Sequence, residues 1–95
     1  MSYLSELGFE DSIIKLLKDT LPVSTIEILE KEKKIVTANI SYLIDLGINN
    51  YQDAFVKFYN MFLLDEKSFD EIFSKYDKED LIIKLEKNIA IMEYL

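Results

Sequence analysis

Cysteine, histidine, tryptophan and arginine are all missing from these 95 residues, and each absence removes a class of chemistry. Without cysteine there is no disulfide framework, no thiolate nucleophile and no sulfur ligand for a metal. Without histidine, ordinary zinc sites and imidazole proton transfer go too. Serines occur with no histidine partner and no glycine elbow, so no catalytic triad can be written. All 11 basic residues are lysine, so the planar fork that reads guanine or clamps a phosphate through two bonds is lacking. The 2 glycines stand 39 residues apart, which excludes a glycine-rich phosphate loop. The longest apolar runs, Met61-Phe62-Leu63-Leu64 and Ile89-Ala90-Ile91-Met92, are far too short to span a bilayer. The opening Met-Ser-Tyr-Leu-Ser-Glu has neither the basic nor the apolar region of a secretory leader, and a cytoplasmic location is expected.

Two acidic clusters, Asp65-Glu66 and Asp77 with Glu79 and Asp80, invite a cation reading. A calcium loop needs ligands staggered around a glycine, and neither cluster has one; helix capping accounts for both. An enzyme is therefore not expected, nor a cofactor, a metal or a small-molecule substrate.

What is present describes a folding chain. Hydrophobic residues make up 49% and charged ones 31%, a globular and not a disordered composition. A chain of this length forms one domain, 1–95, that buries roughly 65% of its unfolded surface. The net charge of −7 disfavours nucleic acid, whose nonspecific affinity comes from a positive surface.

The strongest pattern is a repeat. Tyr3-Leu4-Ser5-Glu6-Leu7-Gly8-Phe9 and Tyr42-Leu43-Ile44-Asp45-Leu46-Gly47-Ile48 share Tyr-Leu-x-x-Leu-Gly-apolar and use both glycines. The spacing predicts a helix closed by a left-handed glycine, twice. The ending Tyr94-Leu95 repeats the first two letters, so the internal repeat runs over about 3–41 and 42–94.

Helical signals fill the intervals. Ile13, Ile14, Leu16 and Leu17 give one apolar face up to about Leu21, where Pro22 stops it. Ser24-Thr25-Ile26-Glu27 and Ser68-Phe69-Asp70-Glu71 both match the capping box, and Asp77 with Asp80 reads as another N-cap. Between 25 and 46 the run Glu30-Lys31-Glu32-Lys33-Lys34 interrupts the stripe and predicts two helices with a break near Lys33. Phe55, Phe58, Tyr59 and Phe62 predict a helix over 51–64, and Leu81, Ile82, Leu85, Ile89 and Met92 predict a final one. No period-2 strand pattern occurs. The expected fold is all-α: five or six short helices in two stacked helical-repeat units, as an orthogonal bundle or a short α-solenoid.

On Leu4, Leu7, Gly8 and Phe9, and on Leu43, Leu46, Gly47 and Ile48, the chain resembles the helical repeats of the mitochondrial transcription termination factor family. Pro22 fits the proline that such repeats carry after the helix that follows the glycine. The resemblance implies repeats of three short helices stacked into a curved solenoid, and a nucleic-acid-binding role along a basic concave face.

The aromatic row could be a stacking platform for bases, but such a row is ordinarily core. Lys31, Lys33 and Lys34 form the one local positive cluster and are the candidates for nucleic-acid contact; the bland reading is a solvated face with Glu27 to Lys31 and Glu30 to Lys34 pairing. Repeat units bury their faces by stacking, so the ends of a two-unit array need cover, which makes Tyr3, Leu4, Met92, Tyr94 and Leu95 the candidate interaction end. The leading expectation is a non-enzymatic interaction module that binds another protein, or a second copy of itself, through an acidic surface or a repeat end. The alternatives are a nucleic-acid-binding repeat protein and a small acidic inhibitor or immunity-type protein that blocks a basic site.

Overall fold

A computed structural model describes residues Met1–Leu95, of which 80% are helical and none is in a strand. In order come α1 (Ser2–Glu6), α2 (Asp11–Thr20), α3 (Val23–Lys31), α4 (Lys33–Leu46), α5 (Tyr51–Phe58), a 3-10 segment Tyr59–Leu63, α6 (Glu66–Ser74), α7 (Lys78–Lys87) and a second 3-10 segment Ile89–Tyr94. Five or six helices are expected from the sequence; there are seven α-helices and two 3-10 segments, the latter set off by unpredicted interruptions at Phe58 and Asn88. No helix is long and apolar enough to cross a membrane.

Both glycines end helices in the same way. Gly8 and Gly47 have φ of +92° and +100°, a region that side chains with a Cβ rarely enter. After α1, the Phe9 N–H donates to the Leu4 carbonyl at 3.0 Å and the Gly8 N–H to the Ser5 carbonyl at 3.1 Å. After α4, the Ile48 N–H donates to Leu43 at 3.0 Å and the Gly47 N–H to Ile44 at 3.1 Å. These crossed bonds define the Schellman motif, and both positions of its apolar pair are buried each time, Leu4 with Phe9 and Leu43 with Ile48. The repeated heptapeptide is thus one local structure built twice.

The break between α3 and α4 falls at Glu32 (φ −95°, ψ 27°), one residue from the predicted place. In an unbroken helix the Leu29 carbonyl would accept from Lys33; here the buried Tyr3 hydroxyl donates to it at 2.9 Å. Desolvation, helped by the nearby Glu30 carboxylate, pushes the Tyr3 phenol up to about 12.

Two capping boxes are misplaced in the sequence reading. α3 starts at Val23 with Pro22 at the N-cap, and the Pro22 carbonyl takes the first helical bonds, so Ser24 lies inside the helix and caps nothing. α6 is capped by Asp65, whose Oδ1 accepts from the Ser68 N–H at 2.8 Å; Ser68 is the third residue of the helix and not its start. That bond holds the Asp65 carboxyl below its usual range. Asp77 caps α7 as expected, accepting from the Asp80 N–H at 3.2 Å.

The predicted 51–64 helix stops at Phe58 (φ −132°, ψ 39°) and tightens into a 3-10 turn. Its cause lies across the core. Asn39, the one buried polar residue, donates from Nδ2 to the Phe62 carbonyl at 3.0 Å and to the Leu64 carbonyl at 2.7 Å, drawing this segment onto α4. The final helix likewise ends at Asn88, short of Met92.

The core is threaded by rings. Tyr51, Phe9, Phe55, Phe62, Phe69 and Phe73 follow one another at centroid distances of 5.6, 5.6, 5.2, 5.2 and 4.8 Å, with Tyr42 beside the last two. The contacts are edge-on or tilted, the arrangements that the ring quadrupole favours. Of the aromatic row, Phe55 and Phe62 are fully buried in the core, while Phe58 and Tyr59 are half-buried and pack against it. α4 is the central element, touched by α1, α3, α5, α6 and the first 3-10 segment. The radius of gyration is 12.8 Å, against about 12 Å for a compact chain of this length.

Candidate functional site

The segment after Gly47 ties the two ends of the chain to its middle. The Tyr51 hydroxyl donates to the Leu7 carbonyl at 3.0 Å, and Gln52 grips the same turn, accepting from the Glu10 N–H at 3.0 Å and donating to the Gly8 carbonyl at 3.3 Å. On the other side Asn50 Nδ2 donates to the Leu85 carbonyl at 2.9 Å and Asn49 to the Glu86 carboxylate at 3.1 Å. Leu85 is in the last turn of α7, where carbonyls lack helical partners. A small polar recess of about 200 Å³ between Glu10, Asn49, Asn50 and Asp53 is what these bonds leave behind. No group of three or more acidic side chains converges in the molecule.

The largest concavity lies elsewhere. Asn88 (φ −153°, ψ 99°) turns the chain at the end of α7, and its Oδ1 accepts from the Ala90 N–H at 3.1 Å to start the Ile89–Tyr94 segment, which then packs on α7 and α5. Ile89 and Met92 point into the core, each at most 7% exposed. The face left over encloses a groove of about 430 Å³ with α7. Leu81, Ile91 and Leu95 are its apolar lining, Tyr76 and Tyr94 its aromatic edges, and Lys75, Lys84, Asp77 and Asp80 its charges. The Tyr76 hydroxyl reaches the Leu95 carbonyl at 3.4 Å and joins the two walls. Tyr94 is 81% exposed, more than any other large apolar side chain.

No known protein family, curated protein or solved structure matches this chain.

The candidate interaction end divides. Tyr3, Leu4 and Met92 are 2%, 0% and 1% exposed, so they are core and present no surface. Tyr94 and Leu95 border the groove. Lys31, Lys33 and Lys34 are exposed around the Glu32 break, with the Lys33 ammonium 5.9 Å from the centre of the Tyr3 ring. The expected Glu27 to Lys31 and Glu30 to Lys34 pairs do not form: the one ion pair in the molecule joins Glu30 to the amino terminus, and the break takes Lys34 off the helical register of Glu30. Sequence reasoning missed Lys75, Tyr76, Asp77, Asp80, Leu81, Lys84 and Ile91 as groove residues. The available signal was Asn88, a capping residue set directly before the apolar run Ile89-Ala90-Ile91-Met92, which mirrors Asp77 at the other end of α7.

Proposed function

We propose that this chain is a non-enzymatic interaction module that binds protein through the groove between α7 and the Ile89–Tyr94 segment. The observation that carries the reading is Tyr94, an aromatic side chain 81% exposed at the edge of the largest apolar concavity. Exposed aromatic anchors beside a groove are where interfaces concentrate their binding energy. The groove suits an apolar knob or the stripe of a helix, with the surrounding charges setting orientation. The test is to pan a library of displayed helical peptides against the immobilised chain and titrate the selected peptides. Tyr94→Ala should weaken them about tenfold or more. Peptides that bind the variant and the parent alike would overturn the assignment of the groove.

A second reading keeps the termination-factor resemblance: two repeat units, each closed by a Schellman turn, with nucleic acid held along exposed lysines. It is supported by the identity of the two caps and by Lys31, Lys33 and Lys34, which have no ion-pair partner. It predicts binding of single- or double-stranded DNA or RNA at low salt that falls steeply as salt rises, and a flatter salt slope after all three lysines are replaced with Glu. Absence of binding at low salt would eliminate it.

A further inference from the structure

The polar run Glu30–Lys34 marks where the chain bends between α3 and α4, yet none of its residues bars a helix. Sharp kinks form at proline or glycine, but the nearest proline is Pro22 and the glycines are Gly8 and Gly47. Glu32 and its neighbours Lys31 and Lys33 are good helix formers, and Glu32 alone leaves the helical region (φ −95°, ψ 27°). A continuous helix would join the Lys33 N–H to the Leu29 carbonyl and the Ile35 N–H to the Lys31 carbonyl. It would also bring Glu30 within reach of Lys34, with the acid on the N-terminal side as such pairs prefer. The backbone bonds thus favour a straight helix, and the bend is held from outside. α1 packs on α4 and α2 on α5, while the Tyr3 hydroxyl donates to the carbonyl that Lys33 would otherwise fill.

Within one chain the straight form is closed off. Residues 1–31 supply Tyr3, Leu4, Phe9, Ile14, Leu17 and Leu29, 6 of the 19 core side chains. Tyr51 and Gln52 bond to Leu7, Gly8 and Glu10 of the same segment. Straightening would carry all of these off the rest of the core. A second copy removes that cost, because the surface bared on residues 33–95 is the imprint of residues 1–31, and the same residues of another copy fit it. We infer that this chain exchanges residues 1–31 with a second copy, α3 and α4 joining through Glu32 into one helix over 23–46 in each. Exchange of an identical element repeats every contact outside the hinge. The helical bonds regained at two hinges then stand against the entropy of association, and protein concentration shifts the balance. Every groove residue lies within 75–95, outside the exchanged segment, so the inference is independent of the groove reading.

The experiment reads the hinge directly. The chain has no cysteine, so Glu27→Cys with Asp45→Cys, both at exposed positions, gives the only sites for spin labels. On a straight helix the two positions stand about 27 Å apart, and the bend brings them closer. The full chain is incubated at millimolar concentration near its melting midpoint, and monomer and dimer are separated by size exclusion. The parent should yield a dimer that persists on dilution, because its release requires unfolding. Labelled chains diluted into unlabelled ones should read the straight-helix distance in the dimer and the shorter one in the monomer. Tyr3→Phe should raise the ratio of dimer to monomer about tenfold or more, since the bent form then leaves the Leu29 carbonyl without a donor and the straight form does not. Glu32→Gly should lower it several-fold, glycine having little preference for the helical conformation. If the parent and Tyr3→Phe both stay monomeric, or if the dimer reads the monomer's distance, the inference is overturned.

Discussion

The hydroxyl oxygen of Tyr51 lies 2.7 Å from the point where a Cβ on Gly8 would stand. At Gly47 the nearest atom to such a carbon is the Ile82 Cδ1, at 3.4 Å, an ordinary contact. The two glycines share a conformation and a hydrogen-bond pattern, but only the first is also required by its neighbour.

That difference is measurable. A left-handed residue with a Cβ costs about 1–2 kcal/mol, so Gly47→Ala should lower stability by about that amount. Gly8→Ala should cost about 1–2 kcal/mol more, because it also displaces the hydroxyl that donates to the Leu7 carbonyl. In a Tyr51→Phe background the clash disappears, and the cost of Gly8→Ala should fall to that of Gly47→Ala. A double-mutant cycle by urea denaturation checks this; equal costs in both backgrounds would refute it.

Asn39 should be intolerant of both apolar and acidic replacement. Asn39→Leu leaves the Phe62 and Leu64 carbonyls without their donor and should cost about 2–4 kcal/mol, with the Tyr59–Leu63 segment the first to lose amide protection. Asn39→Asp places a carboxyl against two carbonyl oxygens in a buried site, which favours its protonated form. Its folded pKa then exceeds its unfolded one, so the variant should be least damaged at low pH and lose stability as pH rises. A variant whose deficit is flat from acid to neutral pH would argue against this packing.

Tyr3 gives the chain an alkaline limit. Its phenol ionises near pH 10 when unfolded and at about 12 when folded. Stability from this group is complete below pH 10 and is lost as pH rises toward 12, because the unfolded chain releases the proton first. The loss approaches about 2–3 kcal/mol. Tyr3→Phe should lower stability at neutral pH by about 1–3 kcal/mol, leaving the Leu29 carbonyl unpaired. It should also flatten the difference between pH 9 and pH 12 relative to the parent. Parallel alkaline slopes for the two proteins would contradict the buried hydrogen bond.

The caps can be ranked by substitution. Asp65→Ala and Asp77→Ala should each lower the melting temperature, whereas Ser24→Ala should leave it nearly unchanged, since Ser24 caps nothing. The Asp65 contribution should fade as pH falls through its lowered folded pKa, since the unfolded carboxyl takes up its proton first. Thermal melts across the acid range test the order and the trend together, and a large loss from Ser24→Ala would reverse the assignment.

The sequence by itself determined the all-helical class, the two glycine-closed ends, the Asp77 cap, the interruption near Lys33 and the burial of Phe55 and Phe62. Each of these depends on residues within about one or two helical turns of one another, where backbone sterics and side-chain spacing decide. At Asp65-x-x-Ser68 and Ser68-x-x-Glu71 two local templates overlap, and the earlier one takes the helix start because its carboxylate accepts from the Ser68 N–H. The tertiary structure alone decided the rest. The 51–64 pattern is unbroken in sequence, and it stops at Phe58 where Asn39, on another helix, holds the Phe62 and Leu64 carbonyls. Tyr3 and Tyr94 occupy the same place in the repeated wording, yet one is 2% and the other 81% exposed. Tyr3 finds the carbonyl that the α3 to α4 break leaves free, while Asn88 turns the Ile89–Tyr94 segment so that Met92 enters the core and Tyr94 faces solvent at the groove. Hydrogen bonds between residues far apart in sequence set the first two outcomes, and the packing of the last segment on α5 and α7 sets the third; no local pattern encodes which partner will be in reach.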